Sequence, residues 1–525
     1  MNKPVVLVIM DGVGLGDGGP GDAVAKAHTP NLDRMLAEHP HTKLKAHGTA
    51  VGLPTDEDMG NSEVGHNTLG CGQIYAQGAK LVGQSLSSGA IYQSKAWTEL
   101  IDHVKSSGGA LHFLGLLSDG NVHSHMDHLL SMLKKAKAEG VRRVYCHILL
   151  DGRDVPATSA LIYVEKLELA LAALNDDSFT GRIASGGGRM YITMDRYEAD
   201  WDMVARGFQC HVHGVGRQFP DAKTAIETYR EETGCIDQDL HEFVIAENGK
   251  PVGMVQPGDS MILFNFRGDR ALEISRAFDD PDFDRFDRGN FHDVLYAGML
   301  EYDGDAHIPS RYLVEPPKIE HTLTELLVGQ GINEYALSET QKYGHVTYFW
   351  NGNRSGKVSE ELETYEEIPS DNCPFNEKPA MKCVEIADHL VGAMESGKYG
   401  FLRCNFPNGD MVGHTGDFDA VVTSMEALDV QLGRIQKAAE QLGYVLCVTA
   451  DHGNADVMLE KNKKGAYQVR TAHSLSPVPF VICGWEGSLR QEGGGLSNVA
   501  ATVAELLGLE LPKQWEPSLL NHENP

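Results

Sequence analysis

At 525 residues, 42% hydrophobic and 23% charged, the chain is long enough for two large domains, or one inserted in another, and its composition excludes a fibrous or disordered protein. A formal net charge of -29 argues against nucleic acid or an acidic membrane surface as partner, and no apolar run reaches membrane-spanning length. An anionic substrate would therefore need arginines gathered locally.

Short apolar runs alternate with helical patterns, which predicts an α/β protein with parallel sheets and crossover helices. Ligands of such sheets gather past the carboxyl ends of strands, so the residues that follow each run are the ones to read. The first run, Val5–Met10, meets Asp11. Gly14-Leu-Gly16-Asp-Gly-Gly19 then matches G-x-G-x-x-G in name only: Pro20 and Gly21 stand where a helix should open, and Asp11 would face a pyrophosphate. A helical pattern covers 31–37. Ser62 follows in Met59-Gly-Asn-Ser62-Glu-Val-Gly-His-Asn, a Gly-flanked turn; by spacing alone it serves equally as a helix N-cap or as a nucleophile that a phosphate can approach closely. The polar, Gly-containing stretch 76–84 reads as a crossing linker.

The middle of the chain changes character. The run 111–117 leads to Asp119 and His123, 144–150 to Arg153 and Asp154, and 261–266 to Arg267 and Arg270. The Gly-rich Ser185-Gly-Gly-Gly-Arg189 and Arg196 lie between the last two, and Pro316-Pro317 reads as a second crossing. Beyond it acids and histidines return: Phe401–Phe406 leads to Asp410 and His414, a helical pattern covers 427–441, and 444–449 leads to Asp451 and His452, with His473 further on. The outer sequence thus collects metal-ligand chemistry and the middle collects anion-binding chemistry, as one domain inserted into another would. The nine cysteines are scattered without a C-x-x-C pair, and Cys146, Cys404 and Cys447 lie in apolar runs, so a reducing cytoplasm is expected.

Asp410 and His414, four apart, share a face if their segment is helical. With Asp11, Asp451, His452 and His473 they make a mixed carboxylate and imidazole set suited to manganese, and also to magnesium, cobalt or zinc. Two ions fit such a set better than one. Singly, each residue is more often a solvated turn acid or a loop histidine; their joint occurrence at strand ends favours metal.

These residues carry a resemblance. Met10-Asp11-Gly12, His28-Thr-Pro-Asn-Leu-Asp33, Gly60-Asn-Ser62-Glu-Val-Gly65-His66-Asn, Asp410-Met-Val-Gly-His414-Thr-Gly and Thr449-Ala-Asp451-His452-Gly-Asn454 occur in order along essentially the whole chain, and together they resemble the cofactor-independent phosphoglycerate mutases of the alkaline phosphatase superfamily. The resemblance implies an alkaline-phosphatase-like domain with a parallel-sheet core, in two segments at 1–80 and 316–525, interrupted by an inserted α/β transferase domain at 81–315. It implies interconversion of 3- and 2-phosphoglycerate through a phosphoserine at Ser62, with no 2,3-bisphosphoglycerate. One ion would be held by Asp410, His414 and His473, and the other by Asp11, Ser62, Asp451 and His452. Substrate would be bound by His123, Arg153, Asp154, Arg189, Arg196, Arg267, Arg270 and Lys342, with Asp154 also moving a proton. Manganese is the expected metal and a cytoplasmic monomer the expected form; a related metal-dependent phosphatase or phosphopentomutase is the alternative. Two departures bear on fine positioning. The stretch from Gly188 to Arg196 is one residue longer than the commoner bacterial form, and the loop at 351–356 is longer than the family's Gly-rich one.

Overall fold

Val5–Met10 is buried along its whole length, on both faces, which explains why it reads as a continuous apolar run and not as an alternation. It is the central strand of a seven-stranded sheet in the order 363–368, 334–339, 401–406, 5–10, 445–449, 478–483, 41–44. Its neighbours Phe401–Phe406 and Val445–Thr449 both run parallel to it, so the carboxyl ends of three strands lie side by side. Val478–Cys483 runs antiparallel to Val445–Thr449. The computed structural model describes residues 3–521 except 54, 196–199, 269, 303–306, 316, 318, 462–464 and 472.

The chain divides into two compact units, Met1–Gln77 with Pro317–Pro525, and Gly78–Pro316. In the first, helix Phe418–Leu442 buries Val421, Met425, Leu428, Leu432 and Ile435, the three-and-four spacing that puts one stripe against a core. Asp417 caps its start by accepting from Ala420 N, and Gly443, at φ 76, ends it.

The second unit has its own sheet, in the order 295–298, 260–263, 111–116, 143–150, 180–188, 243–247, 217–219, with 250–251 paired to 243–247. Its first five strands pair parallel to one another, and Phe243–Glu247 pairs antiparallel to Thr180–Gly188. Distinct apolar cores accompany this sheet, one around Phe113, Ile148, Phe243 and Phe264 and another around Leu114, Leu149, Phe208 and Tyr296. The α/β class with parallel-sheet cores is therefore borne out.

The crossing expected at 76–84 falls between Gln77 and Gly78, and helix Gly78–Ser88 opens at once beyond it, burying Ala79 and Val82. One local expectation is corrected. Ser62 is not an N-cap; Asn61 is, and Ser62 is the first residue of helix Ser62–Cys71. No described helix is long and apolar enough to cross a membrane, and all nine cysteines are free thiols.

Candidate active site

The first unit assembles its acids and histidines where its sheet predicts. Asp11 ends the central strand, Asp410 sits on helix Asn408–Gly413 after one neighbouring strand, and Asp451 and His452 follow the other. Gly12 lets these segments meet: it has φ 76, and a Cβ on it would stand 2.5 Å from Asp410 N. Ser62 is 5% exposed, with its Oγ 3.0 Å from His452 Nε2 and donating to Asp11 Oδ1 at 3.1 Å. Asn61 Oδ1 accepts from Val64 N at 3.0 Å and so fixes the helix end that carries Ser62.

Asp410, His414 and His473 converge on one point. His414 Nε2 lies 3.1 Å from Asp410 Oδ1, His473 Nε2 lies 3.0 Å from the same oxygen, and the two Nε2 atoms are 3.1 Å apart. Each ring spends its Nδ1–H on a carbonyl, Thr471 O at 2.7 Å and Gly60 O at 2.8 Å. Those partners set the tautomers. Two imidazole lone pairs and a carboxylate oxygen therefore face each other with no proton between them, and only a cation satisfies that arrangement. Asp11, Asp451 and His452 form a second group, in which the ligand atoms lie within 4.8 Å of one another. Asp451 Oδ2 is buried without a hydrogen bond, because His66 Nδ1, 3.3 Å away, is committed to Ser62 O at 2.8 Å. The donor set thus fits two divalent ions.

The electrostatics carry the same demand for positive charge. Lys342, 4% exposed, directs its ammonium at Ser62 Oγ, at Asp410 Oδ2 (2.8 Å) and at Asp11 Oδ1 (3.2 Å). Burial opposes its charge, but Asp11, Asp410 and Asp451 raise its pKa above the usual range. Burial likewise opposes ionised Asp410, and the Lys342 ammonium beside it nevertheless helps hold its carboxyl well below the ordinary value. His452 is pushed up to about 10: burial works against the charge, and Asp451, Asp11 and Asp410 overcome it. Burial and then the neighbouring His452 push His473 down to about 3, so its ring stays neutral.

The second unit holds its own constellation. Arg189, 1% exposed, donates from Nη1 to Asp151 Oδ1 at 2.9 Å and to Asp154 Oδ2 at 2.5 Å. Asp151 also accepts from Ser118 Oγ at 2.6 Å and from the backbone of Arg153 and Asp154, so it organises the whole turn. Arg270 Nη1 donates to Met194 O at 2.7 Å. Buried His123 accepts at its carbonyl from Phe266 N at 2.7 Å, next to Arg267; Arg153 is exposed. Arg196 lies outside the described residues.

Several residues that strand-end reading passes over support the ligands. Asn405 Nδ2 donates to Asp11 Oδ2 at 2.7 Å and Asn454 Nδ2 to Asp410 Oδ1 at 3.1 Å. His66 packs edge-on against His345 at 5.4 Å. Asn454 and His66 lie inside the family motifs, which is the signal that could have found them. Asn405 was hidden inside an apolar strand.

Residues 3–511 match the Metalloenzyme superfamily. The chain is 51% identical, over its full length and 98% of the relative, to a probable 2,3-bisphosphoglycerate-independent phosphoglycerate mutase of Leptospira interrogans. It is 50% identical to the 2,3-bisphosphoglycerate-independent phosphoglycerate mutase of Trypanosoma brucei brucei, across 99% of this chain and 97% of that one. Among solved structures it is similar to the Leishmania mexicana phosphoglycerate mutase at low cobalt concentration, with a TM-score of 0.82 and 46% identity over 99% of this chain and 98% of the other.

Proposed function

This chain belongs to the 2,3-bisphosphoglycerate-independent phosphoglycerate mutases, and from that membership we propose that it interconverts 3- and 2-phosphoglycerate, a step of glycolysis and gluconeogenesis, by carrying the phosphoryl group on Ser62. The observation that carries the serine assignment is its place: Ser62 Oγ stands 3.0 Å from His452 Nε2 and 3.1 Å from Asp11 Oδ1, inside a group of carboxylates and imidazoles that asks for cations.

Asp410, His414 and His473 would hold one divalent ion, and Asp11, Ser62, Asp451 and His452 the other. Manganese is the proposed metal, with cobalt, magnesium and zinc also suited to these ligands. When bound, such ions neutralise charge on the attacking and leaving oxygens and lower the pKa of the serine hydroxyl. The chain's own groups do the rest. Lys342 donates to Ser62 Oγ and favours negative charge on it. Asn405 and Asn454 fix which carboxylate oxygens face inward. The amino end of helix Ser62–Cys71 favours the anionic phosphoserine. In the second unit, His123, Arg153, Arg189, Arg196, Arg267 and Arg270 would bind the anionic glycerate, and Asp154, held in place by Arg189, would take and return a hydroxyl proton. A cytoplasmic monomer, with nine free thiols, is the proposed form.

The test is a mutase assay on chelated and then manganese-reconstituted protein with 2,3-bisphosphoglycerate absent, followed by an acid quench and phosphopeptide mapping. Activity should vanish with the metal, return with manganese or cobalt, and leave phosphate on Ser62. Labelling at a histidine, or full activity without metal, overturns the reading.

A further inference from the structure

A second buried polar system crosses the Gly78–Pro316 unit. It begins at Asp259, whose carboxylate accepts from Ala110 N at 2.7 Å, Gln256 N at 2.8 Å and His112 Nε2 at 3.0 Å. His112 Nδ1 is 2.9 Å from His147 Nε2, His147 Nδ1 is 2.7 Å from Ser185 Oγ, Ser185 Oγ is 2.7 Å from His211 Nδ1, and His211 Nε2 is 3.0 Å from Thr193 Oγ1. Every link is buried; His112, His147 and Thr193 are 0% exposed and His211 1%. Three adjacent strands supply His112, His147 and Ser185, and helix Trp201–His213 supplies His211.

The chain of bonds has one direction. The ionised Asp259 accepts only, so His112 carries its proton on Nε2 and accepts on Nδ1. His147 must then donate from Nε2 and accept the Ser185 hydroxyl proton on Nδ1. Ser185 in turn accepts from His211 Nδ1, and His211 Nε2 accepts the hydroxyl proton of Thr193. In this direction every donor of the chain has an acceptor, and burial keeps His147 and His211 neutral.

What lies at the far end is unusual. Thr193 is β-branched yet has φ 70, a left-handed conformation that such residues avoid. Room for it is made by Gly207, on which a Cβ would stand 2.0 Å from Thr193 Oγ1. Thr193 follows Arg189 by four positions, and the next residue, Met194, presents the carbonyl that receives Arg270 Nη1 at 2.7 Å. The turn at Thr193 therefore bears on where Arg270 of the proposed substrate site points.

We propose that Thr193 is a positioning residue, held in its left-handed turn by the Asp259–His112–His147–Ser185–His211 chain, and that this turn aims Arg270, through Met194 O, and the segment after Arg189 at the anionic substrate. The inference rests on the reading that these arginines bind phosphoglycerate. The chain does not relay protons to the reaction, because Thr193 Oγ1 is buried and ends it.

The experiment is steady-state kinetics of metal-loaded, full-length protein with 3-phosphoglycerate, alongside thermal unfolding. Thr193→Val keeps the shape and removes the hydroxyl; it should raise KM at least tenfold with kcat within threefold, and Thr193→Ser should restore KM to within threefold of the parent. Ser185→Ala, which cuts the chain two links away from Thr193, should raise KM in the same direction and alter the imidazole nitrogen spectrum of His211. A Thr193→Val enzyme of lowered melting temperature but unchanged KM overturns the proposal, as does a Thr193→Ser enzyme as impaired as the valine variant. Arg270→Ala separates the two levels: unchanged KM there removes the underlying reading, whereas raised KM there with unchanged KM in Thr193→Val removes only the role of Thr193.

Discussion

Ser62 differs from an ordinary first-turn serine in its company: Asp11, His452 and Lys342 all reach its Oγ. Ser62→Ala should lower mutase activity by about four orders of magnitude or more and abolish the phosphoenzyme while leaving the circular dichroism spectrum unchanged; residual turnover with phosphate still on the protein would contradict this. Lys342 predicts a contrast between metal states. In metal-depleted protein its ammonium is the compensating charge for Asp11 and Asp410, so Lys342→Met should cost about 3–5 kcal/mol in urea unfolding, and much less once divalent ions are bound. Equal losses in both states would show that the lysine does not stand in for cation charge. At this scale, Asp11, Asp410, Asp451 and His452 were legible as candidates because each follows an apolar run, and parallel strands bring such positions together. Lys342 was legible only through the resemblance, since nothing in the spacing of Glu339-Thr-Gln-Lys342 places it against the serine.

At the scale of elements, helix Ser62–Cys71 comes close to the strand end that bears Asp451. A Cβ on Gly65 would stand 2.9 Å from both Asp451 Cβ and its backbone oxygen. Gly65→Ala should therefore displace the helix, cost about 1–3 kcal/mol and weaken metal retention, measurable by titration of the chelated protein. Buried histidines of the other unit predict an acid limit to stability. Burial pushes His211 down to about 3, and burial and then the neighbouring His125 push His128 down to about 4, against 6.5 for an exposed ring. The unfolded chain thus binds more protons below 6.5, so their stabilisation is complete above that pH and falls progressively below it. At pH 5 each should have forfeited about 2 kcal/mol. Thermal unfolding of metal-free protein between pH 7 and pH 5 tests the sign, and a melting temperature that does not fall would refute it. The strands were readable from their apolar runs, whereas helix Gly78–Ser88 was not: Gly78, Gly83 and four serines and glutamines mask the one buried stripe of Ala79 and Val82.

For the whole molecule, separate sheets and cores in the two units imply that Gly78–Pro316 folds without its host. Expressed alone it should unfold cooperatively and bind no divalent metal at the affinity of the full chain; a molten fragment by near-ultraviolet dichroism would deny it that autonomy. The α/β class was legible because it depends on patterns a few residues long. The His112 to Thr193 chain was not, because its links come from three strands, a helix and a turn that only the fold brings together. The placement of Val5–Met10 at the centre of its sheet has a consequence in time. Its partner strand Phe401–Phe406 carries Asn405, which bonds Asp11 across 394 positions of sequence. At roughly 5–20 residues per second of synthesis, the first strand waits on the order of 20–80 seconds on the ribosome with both hydrogen-bonding edges unpaired. The inserted unit can fold during that interval, and the metal centre cannot close until His473 has emerged. Arrested nascent chains should therefore gain metal-dependent protease resistance only when they extend past Val478–Cys483 by the length of the exit tunnel, and a nascent protein starved of metal should be most open to capture by chaperones just before that point.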